Sequence, residues 1–208
     1  ALPIYANWST NSHYGLMLER LAVIRSGWSW ELLDQQIEHI LRALVYLEAQ
    51  HIVHRDIKPA NIMYDKKNQL WKLIDFNLAT VLQPQQKFRS FSPDVGTYGF
   101  IAPEVVEAAN GYNEKADIWS FGKTIQYESN HYLNATVAPL IASSIKNFVS
   151  LSLVEDPAQR PTASALLKFR NHQLQDGKIF TNNSNPPNKH KIPFEESNKE
   201  NISQNLCH

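Results

Sequence analysis

The 208-residue sequence is short of several things, and each shortage closes off a class of protein. It holds one cysteine, Cys207, which excludes an intrachain disulfide framework and a cysteine-built metal cluster. It holds no excess charge, with 20 Lys and Arg against 20 Asp and Glu. That balance argues against a chain held open by repulsion and against a nucleic-acid binder working through bulk positive charge. No apolar run approaches the ~18 residues that would span a bilayer, so no membrane segment is expected. The stretch from Ala1 to Thr10 lacks the basic-then-apolar pattern of a signal peptide. A reducing compartment, cytoplasmic or nuclear, is the expectation. Glycine is scarce, at 7 residues, about half of the usual ~7% usage. The chain opens on Ala1 and its first methionine is Met17, so the sequence is expected to continue upstream.

What is present fits a domain and a tail. Hydrophobic residues make up 43%, close to a typical soluble protein, and they recur at regular spacings up to about residue 170. From Asn171 onward there are eight asparagines, the pair Pro186-Pro187 and few large apolar side chains. Such a stretch buries too little surface to offset the entropy of ordering, so residues 171–208 are expected to be a disordered tail.

The clearest element is a helix over residues 30–49. Leu33, Ile37, Ile40, Leu41, Leu44 and Leu47 recur at steps of three and four and make one apolar stripe. Ser29 is placed to cap it, and Glu31 suits its positive end. Ile62 to Tyr64 and Leu70 to Phe76 read as two strands joined by the polar turn from Asp65 to Gln69, which predicts a hairpin. Further helices are predicted from Lys115 to Tyr127, from Ile141 to Leu153 and from Ala163 to Phe169, the last capped by Thr162. Trp119, Phe121 and Gly122 suggest close packing in the first of these.

Chemistry gathers in the polar loop before the hairpin. His54-Arg55-Asp56-Ile57-Lys58-Pro59-Ala60-Asn61 offers a carboxylate, an ammonium and a side-chain amide, and a second carboxylate, Asp75, closes the hairpin. Phosphoryl transfer needs this assortment. One carboxylate orients or accepts the proton of an attacking hydroxyl, and a lysine neutralises charge on the migrating group. A carboxylate and an amide oxygen hold Mg²⁺ against the phosphates.

The segment resembles the catalytic loop of eukaryotic protein kinases. Asp75-Phe76-Asn77 resembles the metal-binding triplet of that family, and Ala102-Pro103-Glu104 its activation-segment end. Gly96-Thr97, Asp117-Ile118-Trp119-Ser120-Phe121-Gly122 and Asp156-Pro157-Ala158-Gln159-Arg160-Pro161 follow in the family's order. The resemblance implies an α+β fold, a mainly α-helical kinase C-lobe with a short β-hairpin and most of the N-lobe absent. On it, residues 1–21 are the end of the N-lobe sheet and the hinge, and residues 22–170 are the C-lobe.

The resemblance also implies roles. Asp56 is the catalytic base, Lys58 contacts the transferred phosphate, and Asn61 and Asp75 hold Mg²⁺. Lys58 together with Thr97 resembles the serine/threonine branch. His54 and Phe76 are packed core residues, and Asp117 anchors the catalytic loop through backbone N–H groups. Glu104 and Arg160 form a buried ion pair. Tyr14 to Leu21 resembles a strand running into the hinge, so Glu19 and Leu21 would meet the adenine of ATP through their backbone and Met63 would pack beneath it. Arg55 before the catalytic aspartate implies control by an upstream kinase acting on the activation segment. Ser90 and Ser92 are the candidate phosphosites, Ser92 preceding Pro93. The partner is a protein substrate.

The sequence departs from the family in two places. Asn77 stands where the family has glycine, and asparagine is the next best residue in a left-handed backbone, so it is expected to be tolerated. Before Glu19 there are 18 residues with no lysine and only Gly15, so the family's Gly-rich loop and its strand lysine do not fit there. Two readings follow: a serine/threonine kinase that is N-terminally truncated in these 208 residues, which alone would be inactive, or a pseudokinase-like binding or scaffold module.

Overall fold

The computed structural model describes residues 4–9, 14–18, 21–22, 28–82, 95–107, 113–132 and 139–176. Among them are five helices and three two-stranded antiparallel sheets, a mixed α and β architecture. Glu19, Ser90 and Ser92, and the tail from residue 177, lie outside the described residues.

Helix α1, Trp30–Ala49, forms the spine. Ser29 caps it as expected, its Oγ accepting the Leu32 N–H at 3.2 Å. The apolar stripe is buried along its length, from Leu33 to Leu47. Each fully buried leucine or isoleucine stabilises the fold by about 1.5–3 kcal/mol. Against this stripe pack α3 (Lys115–Tyr132), α4 (Pro139–Ser152) and α5 (Ala163–Asp176). Gly122 of α3 lets α4 approach closely, because a Cβ there would lie 2.5 Å from Ser152 Cβ.

Helix α5 continues to Asp176, so residues 171–176 are helical where the composition suggested a tail. The turns before this stretch are tied to α1. Ser164 N–H donates to Glu48 at 3.3 Å at one end of α5, and Arg170 pairs with Asp34 at 2.6 Å and Glu38 at 3.3 Å further along. Helix α3 likewise runs on to Tyr132, past the predicted end at Tyr127.

The predicted hairpin is β4 (Ile62–Asp65) and β5 (Leu70–Leu73), in register Ile62 with Leu73 and Asp65 with Leu70. The second strand stops three residues short of Phe76, because Asp75 takes a left-handed backbone with φ of 61°. Two further pairings escaped the sequence reading. Strand β1 (Ile4–Ser9) pairs with β2 (Tyr14–Leu18), and β3 (Ile52–Val53) pairs with β6 (Thr80–Val81). The short helix α2, Pro103–Glu107, was also not anticipated. A second core cluster, with Val53, Leu82, Val105 and Trp119, joins α2 to α3 and to the end of the β3–β6 pair.

Candidate active site

The loop between β3 and β4 is held from below by α3. Buried Asp117 accepts the His54 N–H at 2.6 Å and the Arg55 N–H at 2.9 Å, as expected of it. Burial pushes the Asp117 carboxyl above the usual range, against the pull of those two N–H groups. The grip accompanies an unusual backbone, with Arg55 at φ of 70°. A left-handed non-glycine residue costs on the order of 1–3 kcal/mol. The Arg55 side chain reaches forward and donates through Nε to the Leu78 carbonyl.

His54 is fully buried and ties the loop to the segment after β5. Its Nδ1 accepts the Asp56 N–H at 3.3 Å, so the ring proton sits on Nε2 and is donated to the Ile74 carbonyl at 3.0 Å. The Phe76 ring meets it edge-on at 4.6 Å. The expected packing role of both rings agrees with this geometry.

Above the loop, Asp56 is the hub. Its Oδ1 accepts the Thr97 hydroxyl at 2.6 Å, and its Oδ2 accepts Lys58 Nζ at 2.8 Å and Asn61 Nδ2 at 2.9 Å. Lys58 Nζ also donates to Thr97 Oγ1 at 2.7 Å, closing a ring of three side chains. Burial pushes the Asp56 carboxyl up, but Lys58, Thr97 and Asn61 outweigh it and hold it below the usual carboxylate range. Thr97 arrives from 41 residues away because Gly96 precedes it at φ of 121°. A Cβ on Gly96 would lie 2.9 Å from the Arg55 carbonyl, so no other residue fits there without a shift.

Asn61 and Asp75 stand at the same end of the hairpin, linked by the Ile74 N–H donating to the Asn61 carbonyl at 2.9 Å. The Asn61 amide nitrogen is committed to the Asp56 carboxylate and to its backbone carbonyl, at 2.9 and 2.8 Å, which leaves the amide oxygen for a cation. Asp75 is exposed, and its Oδ1 accepts the Asn77 N–H at 3.3 Å. The left-handed residue of the triplet is thus Asp75, not Asn77, so the substitution of glycine by asparagine meets no backbone demand at that position.

Further out, Arg160 is fully buried and all five of its N–H groups are taken. Two go to Glu104, at 2.7 and 3.0 Å, and three to the carbonyls of Val154, Lys115 and Glu155. The guanidinium also lies 5.1 Å from the Trp119 ring centroid. Of the expected adenine contacts, Met63 and Leu21 are half-buried. Ala22 and Tyr64 exchange two backbone hydrogen bonds of 3.0 and 2.9 Å beside them. The site therefore gathers Asp56, Lys58, Asn61 and Thr97 by direct contact and Asp75 by the hairpin register. The sequence motifs single out Thr97 beside Lys58 but do not foresee its hydroxyl on Asp56.

The protein kinase domain model matches residues 13–129, more than half of the chain. The chain belongs to the protein kinase family. Its curated relatives include Mitogen-activated protein kinase kinase kinase 3 from Arabidopsis thaliana, 35% identical over 156 residues, covering 66% of this chain and 25% of that protein. Another is the Arabidopsis Mitogen-activated protein kinase kinase kinase YODA, 37% identical over 149 residues, covering 62% of this chain and 16% of that protein. Sporulation-specific protein 1 from Saccharomyces cerevisiae is 36% identical over 157 residues, covering 64% of this chain and 30% of that protein. The chain thus spans a quarter or less of the first two of these proteins. No helix among the described residues is long and apolar enough to cross a membrane.

Proposed function

We propose that this chain is the catalytic-loop half, hinge and C-lobe, of an ATP-dependent protein serine/threonine kinase. The observation that carries the reading is the Asp56 carboxylate held between Lys58, Thr97 and Asn61. A carboxylate kept ionised, with an ammonium beside it, suits a hydroxyl acceptor. The substrate hydroxyl passes its proton to Asp56 as its oxygen bonds to the γ-phosphorus, and the bond from that phosphorus to the β–γ bridging oxygen breaks. Lys58 offsets charge on the equatorial oxygens while Thr97 fixes the Asp56–Lys58 geometry. ADP is the leaving group.

The donor set fits Mg²⁺. Asn61 offers an amide oxygen and Asp75 a carboxylate, both hard oxygen ligands, and no cluster of three or more His, Cys, Asp or Glu among the described residues could hold a metal alone. Phosphate and water oxygens would complete its shell, the usual habit of Mg²⁺. The bound ion would neutralise charge on the β- and γ-phosphates. In this reading Leu21, Glu19 and Met63 border the adenine, and an upstream kinase acts on Ser90 or Ser92. The 208 residues alone turn ATP over weakly or not at all, since one wall encloses the phosphates and catalysis depends on positioning.

A scaffold role is the second reading. The two are separated by ATP turnover of the longest natural product against its Asp56→Asn variant. We expect a loss of about 10²–10⁴-fold. Undiminished turnover in the variant would reject Asp56 as base, and no turnover in either would favour the scaffold. A thermal shift of several degrees with Mg-ATP on the 208-residue chain would contradict weak binding by this half.

A further inference from the structure

We infer that His39 is a positioning residue for the site: its neutral imidazole anchors β5, the strand that runs into Asp75, and its protonation releases that anchor. The metal-binding end of the hairpin is then held less firmly in mild acid. The inference rests on the kinase reading above and names a control on that same site.

The anchor is one hydrogen bond between α1 and β5. Trp71 N–H donates to His39 Nδ1 at 3.2 Å, across 32 residues of sequence. Strand β4 offers Trp71 no alternative. Tyr64 lies opposite it in register but turns its own N–H and carbonyl to Ala22, at 2.9 and 3.0 Å. Trp71 is buried, stacked on Trp28 at 5.5 Å and packed on Tyr64 at 5.0 Å. A backbone N–H in such a place needs a protein partner, and the histidine is the one it has.

From Trp71 the chain leads straight into the site. Ile74 N–H donates to the Asn61 carbonyl at 2.9 Å, and the Ile74 carbonyl accepts from His54 Nε2 at 3.0 Å. Asp75 follows at once. The anchor stands roughly 13 Å along the chain from Asp75, at about 3.3 Å per residue. It therefore fixes against α1 the strand whose far end sets Asp75 beside Asn61.

Only the neutral ring can make this bond. With Nδ1 accepting, the ring proton sits on Nε2, and a second proton would go to Nδ1 and set N–H against N–H. On α1 itself the charged neighbours are Glu38 and Arg42, paired with each other at 2.8 Å. Helix α5 contributes Arg170, held by Asp34 and Glu38. The hairpin contributes Lys72, held by Asp65 at 2.8 Å, and the Tyr64 ring on Trp71. Burial lowers the His39 pKa, Glu38 opposes it, and Arg42 and Arg170 add to the lowering. A folded-state value below the ordinary 6.5 means that the bond is fully present above that pH and is lost as pH falls through the folded value.

The test follows the Trp71 amide of the 208-residue chain by NMR hydrogen exchange near pH 8 and near pH 5, expressed as protection so that the intrinsic pH effect cancels. Native protection should fall by about tenfold on acidification, the worth of one hydrogen bond. His39→Gln supplies an amide oxygen that accepts at both pH values and shares every other titrating group, so its protection should stay level. His39→Leu should sit at the low level throughout. In the longest natural product, the Mg²⁺ concentration for half-maximal phosphoryl transfer should rise over the same interval by about fivefold more in the native protein than in His39→Gln. Native protection independent of pH, or an equal fall in His39→Gln, would overturn the inference. An equal rise in Mg²⁺ requirement in both proteins would also overturn it, by cutting the anchor off from the site. A Trp71 switch without phosphoryl transfer at any pH would support the anchor and reject the kinase reading. Transfer without a Trp71 switch would do the reverse.

Discussion

Thr97 Oγ1 lies 2.6 Å from Asp56 Oδ1, although 41 residues separate them in sequence. The contact completes a triangle with Lys58 that neither the catalytic loop nor the activation segment could make alone. It links the ionisation of Asp56 to the position of the segment that carries Thr97.

Breaking that triangle should therefore damage chemistry more than folding. Thr97→Val keeps the side chain's volume but removes the hydroxyl. We expect phosphoryl transfer by the longest natural product to fall by about tenfold to a hundredfold, with Thr97→Ser retaining most of it. A Thr97→Val protein with native turnover would show the hydroxyl to be dispensable.

The buried ion pair should behave the opposite way. Glu104→Ala leaves the Arg160 guanidinium buried with two unpaired N–H groups, at a cost of about 3–5 kcal/mol. For a chain of this size that lowers Tm by roughly 6–20 °C. A change in Tm of a degree or less by calorimetry would mean that the Arg160 environment admits water.

Glu128 gives a pH signature. Burial pushes its carboxyl up from 4.5 to about 8, with only Gln36 opposing, and Glu128 Oε2 and both Gln36 polar atoms lack a hydrogen-bond partner. A folded-state value raised above the unfolded one means that its contribution is fully present below pH 4.5 and is lost as pH rises toward 8. The loss between those limits and neutral pH is on the order of 3 kcal/mol. Glu128→Gln should flatten this slope, so its Tm advantage over the native chain should grow from pH 5 to pH 8. An advantage independent of pH would place the proton elsewhere.

Gly122→Ala should destabilise by about 1–3 kcal/mol, because the added Cβ meets Ser152 Cβ at 2.5 Å. Pairing it with Ser152→Gly should recover part of the loss. Chemical denaturation of the two single variants and the double variant reads the coupling directly. Strict additivity would mean that α3 and α4 shift apart rather than clash.

What could be read from sequence followed the range of the interactions involved. Helix α1 shows as a stripe because its partner faces recur within twenty residues, and the β4–β5 turn shows because Asp65 to Gln69 is polar. The side chains proposed for catalysis were legible as a motif, since Asp56, Lys58 and Asn61 stand within one short loop. The left-handed Asp75, the two-residue pairing of Ile52–Val53 with Thr80–Val81, and the extension of α5 to Asp176 were not. The pairing of Ile52–Val53 with Thr80–Val81 joins residues distant along the chain, and α5 is tied at Arg170 to Asp34 and Glu38 of α1. The inward turn of Glu128 was equally hidden, because an acid on an amphipathic helix ordinarily faces water.

The five acceptors around Arg160 also set an order of events during synthesis. Glu104 leaves the ribosome 56 residues before its guanidinium partner, a delay of several seconds at about 5–20 residues per second. Over that interval the nascent chain already carries Asp56, Asp75 and Thr97, yet the carboxylate that fastens α2 has nothing to grip. A product ending before Arg160 is thus expected to hold the side chains proposed for phosphotransfer while leaving α2 open to protease, which limited digestion of residues 1–158 would reveal by cleavage near Glu107.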